Sequence, residues 1–225
     1  QKSIIRYYDI GEYDSAIIMY NDLRIDEEHT FPSLYNVVGK CYLGNKNFKL
    51  AKRFFEKSLT INKSGSSPAE EFISRFELAK MYKNEAMVSK IKIELDQMEE
   101  LYQSYSIPQL RPYLILTRAN YYNYLDDEKS YQYFIETIET FDENNPDIFE
   151  AYDKFLDFLM SEGKFEQAKK YLDRAIRLTN DDFELKEYFE ILLYKSYYWL
   201  RVGNYAKALQ IIDEECLPKI LDVSG

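Results

Sequence analysis

The chain has 225 residues, of which 46% are hydrophobic and 30% are charged. Acidic residues outnumber basic ones by 39 to 29, a formal net charge of −10, which argues against direct nucleic-acid binding because that requires clustered lysine and arginine. No apolar run approaches the ~20 residues of a membrane span and no signal-peptide pattern opens the chain, so we expect no membrane association.

The two cysteines and the single histidine offer little for chemistry. Cys41 and Cys216 lie far apart, and Cys41 stands in an apolar stretch, so we expect a core thiol in a reducing compartment and a cytoplasmic protein. His29 lies in an acidic loop, which we interpret as solvated, and no residue near it completes a catalytic set. The sequence also lacks a phosphate loop and a metal motif, so we expect no enzyme activity, no metal and no cofactor.

The first predicted element, about residues 1–25, is a short helix, a turn at Gly11 and a second helix that carries Ala16. The first helix has little room before Gly11, and the chain does not begin with Met. We expect a fragment or a processed product whose array, or another domain, continues upstream. The alternative is a naturally short cap.

The second element, residues 32–62, reads as two helices joined by a tight turn. Apolar residues fall on one face of each helix, namely Tyr35, Val38, Gly39 and Tyr42 in the first and Ala51, Phe55 and Leu59 in the second. Gly39 and Ala51 are small where two helices must come close, whereas Tyr42 and Phe55 are large where a gap must be filled.

Four further hairpins follow at about residues 68–102, 108–142, 146–180 and 183–218. In the third, Ser67, Pro68 and Glu70 predict a helix start with a cap, a first-turn proline and a capping-box acid. In the fourth, one residue is missing from the turn, so either Tyr121 or Tyr122 stands at the large position of its first helix. The fifth and sixth follow the pattern well.

Two kinds of apolar column recur through the six hairpins at intervals of 35 to 40 residues. The anchors in the second helices are Ala16, Ala51, Ile91, Ser130, Ala168 and Ala208. Large residues stand four after each anchor, at Tyr20, Phe55, Leu95, Phe134, Leu172 and Ile212. Others stand nine before it, at Tyr7, Tyr42, Tyr82, Tyr121, Leu159 and Trp199. Stacked hairpins require such columns, because each hairpin buries its faces only against its neighbours.

This pattern resembles the tetratricopeptide repeat, whose signature is W-x2-L-G-x2-Y, then A-x3-F, then P. In the second hairpin Tyr35 stands for the Trp, Val38-Gly39 for Leu-Gly and Tyr42 for the Tyr, while Ala51 and Phe55 match directly. The resemblance covers nearly the whole chain and implies an all-α fold, a right-handed superhelical solenoid of helix hairpins in a single array.

The resemblance also implies that the first helices of the hairpins line a concave groove. Projected onto this chain, the peptide-binding residues are Asn36, Lys40, Phe76, Lys80, Asn120, Glu150, Asp153, Asp157 and Tyr197. Beside them stand Lys83, Leu116, Asn123, Glu190 and Leu193. The projected groove runs from lysine-rich to acid-rich, and the alternative is that these charges form an ordinary solvated face.

Two function classes are compatible with such a groove. The first is a protein-interaction or peptide-binding scaffold, in which Glu150, Asp153 and Asp157 meet a basic group of the partner while Lys40 and Lys80 meet an acidic or carboxylate end. The second is the ligand-sensing repeat domain of a bacterial peptide-responsive regulator, with a DNA-binding or effector domain outside this chain. Apolar faces at the ends of the array further predict self-association.

Overall fold

The computed structural model describes residues 2–23, 31–62, 67–105, 107–143, 145, 147–179 and 185–218, with only the backbone of 185–188. These residues contain no strand. They form α1 Lys2–Asp9, α2 Tyr13–Asp22, α3 Pro32–Gly44, α4 Phe48–Asn62, α5 Pro68–Asn84, α6 Val88–Tyr105, α7 Arg111–Tyr124, α8 Lys129–Thr140, α9 Ile148–Ser161, α10 Phe165–Leu178, α11 Leu185–Arg201 and α12 Tyr205–Ile211. A 3-10 turn at Pro108–Leu110 precedes α7, and a π-helical turn at Ile212–Cys216 follows α12. The predicted all-α fold is confirmed.

The chain divides into two compact units, Gln1–Asp127 and Glu128–Gly225. The N-terminal unit holds α1 to α7, and the C-terminal unit holds α8 to α12. The boundary falls inside the predicted fourth hairpin, so that α7 and α8 belong to different units.

The first helix of every predicted hairpin ends in the same turn. Its central residue has a positive φ, as seen at Gly11, Lys46, Ala86, Asp126, Gly163 and Gly203. The next residue donates its N–H to the carbonyl of the residue five before it, as Asn47 does to Tyr42 at 2.8 Å and Lys164 to Leu159 at 2.8 Å. This is the Schellman arrangement that closes helix C-termini. Glycine is therefore not essential to the turn, because Lys46, Ala86 and Asp126 adopt it too.

The shared turn settles the register of the fourth predicted hairpin. The Asp127 N–H bonds to the Tyr122 carbonyl at 3.1 Å, so Tyr122 rather than Tyr121 is the counterpart of Tyr42. The buried Ser130 follows the positive-φ residue Asp126 by one residue fewer than Ala51 follows Lys46. One residue is thus missing after the turn, as the sequence indicated.

The anchor column is buried throughout, with exposures of 6% or less from Ala16 to Ala208. The large column is buried in the middle hairpins, as at Phe55 and Phe134, each 0% exposed. In the last hairpin Ile211 is the buried residue, whereas the predicted Ile212 is half-buried where the chain enters the π-helical turn.

Two further expectations about packing have definite outcomes, and a third stays a prediction. A Cβ built on Gly39 would lie 2.7 Å from the Phe55 ring, which confirms the predicted close approach. Tyr42 and Trp199, expected to be mostly buried, are half-buried and pack against core clusters. Leu200 is 47% exposed, whereas its counterpart Met160 is fully buried, and self-association through such a face stays a prediction.

The start of α5 is where the sequence predicted it, but the predicted capping box is absent. Pro68 is the first helical residue, and the Ser67 side chain makes no capping hydrogen bond. The Ser67 N–H donates to Asn62 Oδ1 at 3.0 Å, and the Glu70 carboxylate accepts a hydrogen bond from Asn36 Nδ2 at 2.8 Å. Contacts to neighbouring helices have replaced the local cap.

Candidate functional site

The predicted groove residues fall into two columns that the shared turn brings into register. Ten residues before the positive-φ residue stand Asn36, Phe76, Leu116, Asp153 and Leu193. Six residues before it stand Lys40, Lys80, Asn120, Asp157 and Tyr197. The same two positions of five successive first helices can therefore be compared directly.

In the N-terminal unit the residues of the first column are buried. Asn36, Phe76 and Leu116 are 3%, 1% and 0% exposed. The Phe76 ring meets the Tyr113 ring edge-on, with centroids 4.8 Å apart. These residues form the contacts among α3, α5 and α7 and present almost no surface to a ligand.

Asn36 is held by a buried polar network between helices. Its Nδ2 donates to the Glu70 carbonyl at 3.1 Å and to the Glu70 carboxylate at 2.8 Å. Its Oδ1 accepts from Ser74 Oγ at 2.7 Å, and Ser74 Oγ lies 2.9 Å from Ser58 Oγ. Both ends of the amide thus tie α3 to α5.

The second column of the N-terminal unit also contacts its own neighbours. Lys40 Nζ lies 3.4 Å from the buried carboxylate of Glu77, and Lys80 Nζ lies 5.2 Å from the centroid of the Phe76 ring. Asn120 is 5% exposed. The lysine-rich stretch of the predicted groove is therefore engaged in contacts within its own unit.

In the C-terminal unit the same columns border an open cleft of about 350 Å³ between α9 and α11. Its lining residues are Asp153, Asp157, Glu190, Leu193, Tyr194 and Tyr197. All but Tyr194 belong to the groove that the resemblance implied. Glu150, three residues before Asp153, is half-buried and is not one of the lining residues.

Tyr194 is not among the groove residues predicted from the sequence, although its position in the repeat offers a signal. Tyr194 directly follows the groove residue Leu193, just as Lys154 directly follows the groove residue Asp153. Its hydroxyl donates to Asp153 Oδ1 at 2.6 Å, which joins α11 to α9. Burial, this hydrogen bond and the negative charges of Asp153, Asp157 and Glu190 raise the pKa of Tyr194 above its ordinary value. The hydroxyl therefore stays protonated and keeps donating at neutral pH.

Asp153 has a second partner in Lys154, whose Nζ lies 2.8 Å from Oδ2. Burial lowers the pKa of Lys154, but the hydrogen bond to Asp153 and the charges of Asp153, Asp157 and Glu150 raise it further, so the net shift is upward. Both oxygens of Asp153 are thus occupied. Asp157, one turn later on α9, is exposed at the cleft.

The cleft has two different sides, which we name by their residues. The acidic wall is Asp153 and Asp157 on α9, and the aromatic wall is Leu193 and Tyr197 on α11. Leu193 and Tyr197 are 40% and 38% exposed. An exposed apolar pair facing carboxylates suits an amphipathic ligand better than a purely charged one.

Other kinds of site have little support among the residues that the structure describes. No group of three or more His, Cys, Asp or Glu residues there could hold a metal ion. Cys41 and Cys216 are both free and buried, as expected for Cys41, and burial raises the pKa of the Cys41 thiol to about 11. His29 lies outside the described residues. No described helix is long and apolar enough to span a membrane.

The family model of the tetratricopeptide repeat matches residues 32–64 and 149–182. The first stretch contains α3 and α4, and the second contains most of α9, with the acidic wall, and all of α10. No curated protein matches the chain significantly in sequence.

Several solved structures share the fold at low sequence identity. BtubC from P. vanneervenii is 14% identical, with a TM-score of 0.67 over 100% of this chain and 91% of that one. A Rap protein, solved in complex with Competence and Sporulation Factor, is 16% identical with a TM-score of 0.66, and the alignment covers 99% of this chain but 63% of the Rap chain. PilF of Pseudomonas aeruginosa is 13% identical, with a TM-score of 0.63 over 99% and 94% of the two chains.

Proposed function

Because this chain is a tetratricopeptide-like repeat protein, we propose that it is a protein-interaction scaffold that holds a peptide segment of its partner in the cleft between α9 and α11. One observation supports this most. The first of the two groove columns is buried in the N-terminal unit, whereas residues of both columns line an open cleft of about 350 Å³ in the C-terminal unit. A volume of this size is typical of ligand sites.

The charge of the cleft indicates the chemistry of the partner. Three carboxylates line it, those of Asp153, Asp157 and Glu190, and no basic side chain is among the described lining residues. The chain as a whole carries a formal charge of −10. A lysine, an arginine or a free amino terminus of the partner would complement this charge and be attracted to the cleft.

Asp157 is the carboxylate best placed to meet that basic group. Asp153 already has Tyr194 and Lys154 as partners, whereas Asp157 is exposed one turn further along α9. Lys40 and Lys80, expected to meet an acidic ligand group, contact Glu77 and Phe76 within the N-terminal unit, and the proposed ligand needs neither.

A second candidate is the ligand-sensing domain of a peptide-responsive regulator. The similarity of the fold to that of the Rap protein solved with Competence and Sporulation Factor supports this second candidate function. In that case the cleft would take a free peptide rather than a segment of a larger protein. Binding of the isolated peptide as tightly as the whole partner protein would favour this second candidate.

The test is a selection of random peptides, displayed on phage, against the immobilised chain and against the double variant Asp157→Asn/Glu190→Gln. We expect peptides selected by the parent to be enriched in lysine and arginine, and this enrichment to disappear with the variant.

The matched control is Glu139→Gln/Asp213→Asn, which removes the same charge from exposed helix positions in the same unit but outside the cleft. This control should select the same peptides as the parent. Equal enrichment with the parent and the cleft variant would contradict the proposal.

A further inference from the structure

The two residues of each wall of the cleft have the same spacing along their helix. Asp153 and Asp157 are four residues apart on α9, and Leu193 and Tyr197 are four apart on α11. Four residues of an α-helix rise about 6 Å. Each wall therefore has two positions about 6 Å apart, acidic on one side and apolar on the other. On the acidic wall Asp153 is already bonded to Tyr194 and Lys154, so Asp157 is the contact point for a ligand cation.

An extended peptide has a repeat of nearly the same length. Its successive side chains point to opposite sides, and residues two apart are separated by roughly 6.6 Å. Lying along the two helices, such a segment would direct every second side chain to the acidic wall and the intervening ones to the aromatic wall.

Arg201 places a positive charge beside the aromatic wall. Its guanidinium lies 5.8 Å from the centroid of the Tyr197 ring, and its Nη1 lies 3.5 Å from the Tyr197 hydroxyl. A ligand cation placed against this wall would be repelled by Arg201, whereas an apolar side chain would not. The basic residues of a ligand are thereby directed to Asp157 on the opposite wall.

We propose that the cleft recognises an extended segment in which basic and apolar residues alternate, an inference that rests on the peptide-binding function proposed above. The acidic wall selects the basic residues by charge, and the aromatic wall selects the apolar ones by burial of Leu193 and Tyr197. The Tyr194–Asp153 hydrogen bond joins the helices that carry the two walls.

The test uses three synthetic peptides of identical composition, made of lysine, arginine, leucine and tyrosine. One alternates basic and apolar residues, one places them with helical period, and one separates them into two blocks. Binding is measured by fluorescence anisotropy at several salt concentrations. We expect the alternating peptide to bind at least about tenfold more tightly than either of the others.

Two variants separate the contributions of the walls. Asp157→Asn/Glu190→Gln should weaken binding of the alternating peptide and flatten its salt dependence. Leu193→Ala should weaken it with the salt dependence unchanged, because the contact removed is apolar. The control Glu139→Gln/Asp213→Asn should do neither.

The outcomes distinguish this inference from the function on which it rests. If the helical or the block peptide binds as tightly as the alternating one, or if Leu193→Ala has no effect, the alternating extended ligand is wrong. The proposed function survives either result as long as Asp157→Asn/Glu190→Gln weakens binding. If that variant weakens none of the three peptides, both proposals fail.

Discussion

The N-terminal and C-terminal units place different residues at the same two positions of the first helices. In the N-terminal unit Phe76 is 1% exposed and Asn36 is 3% exposed, and both are enclosed by neighbouring helices. In the C-terminal unit the counterparts Asp153 and Leu193 border an open cleft. A position in a repeat therefore does not by itself make a binding residue, because the neighbouring helices decide whether it is open.

Side-chain chemistry explains part of this difference. Asn36 finds partners in Glu70 and Ser74 on the next first helix, so α3 and α5 are joined through it. In the C-terminal unit the equivalent link is Tyr194 to Asp153, made by a longer side chain that leaves Leu193 at the surface.

The largest expected effect compares Phe76 with its counterpart Leu193. Phe76→Ala removes a buried ring and should lower the free energy of unfolding by about 3–5 kcal/mol. Leu193→Ala, at a position 40% exposed, should change it by no more than about 0.5 kcal/mol. Urea denaturation followed by circular dichroism checks both, and similar losses for the two variants would show that the columns do not differ in burial.

The next effect concerns the polar network of the N-terminal unit. Asn36→Ala leaves the buried hydroxyl of Ser74 with one partner fewer and should cost about 1–3 kcal/mol. The matched control is Asn123→Ala, an exposed asparagine on α7 of the same unit, which should cost less than about 0.5 kcal/mol. Equal denaturation midpoints for the two variants would contradict a structural role of Asn36.

The smallest expected effect concerns a buried tyrosine that both units have at the same position of the repeat. Tyr35 and Tyr152 stand at equivalent positions, are 0% exposed, and have hydroxyls without a hydrogen-bond partner in the described residues. Replacing either with Phe removes a buried unpaired hydroxyl and should raise the free energy of unfolding by about 1 kcal/mol. A lower denaturation midpoint for both variants would mean that the hydroxyls are paired in solution.

The stability difference between Tyr152→Phe and the parent should also depend on pH. Burial raises the pKa of Tyr152 to about 12, whereas an unfolded tyrosine titrates near ~10. As the pH rises from ~10 toward the folded pKa of about 12, the unfolded chain ionises this tyrosine before the folded protein does, so the parent loses stability across this interval. The advantage of Tyr152→Phe over the parent should therefore grow across this interval, and a constant difference would contradict the raised pKa.

Much of the fold could be predicted from periodicity, because the anchor column from Ala16 to Ala208 recurs at regular spacing and holds a small residue at every position except Ile91. The positive φ at Lys46, Ala86 and Asp126 could not, since glycine is the usual signal for that conformation. The residue type also cannot tell whether a groove position is open. Lys40 and Asp157 stand at the same position of their helices and look equally suited to a ligand, and only the contacts of the folded chain separate them.

The most direct test of the account is to map the bound peptide by NMR. Amide chemical shifts of the full chain would be recorded while a basic peptide selected by phage display is added. We predict that the perturbed amides cluster on α9 and α11 around Asp157, Leu193 and Tyr197, and that those around Asn36 and Phe76 on α3 and α5 do not move. Perturbations centred on α3 and α5, with α9 and α11 unchanged, would contradict the account.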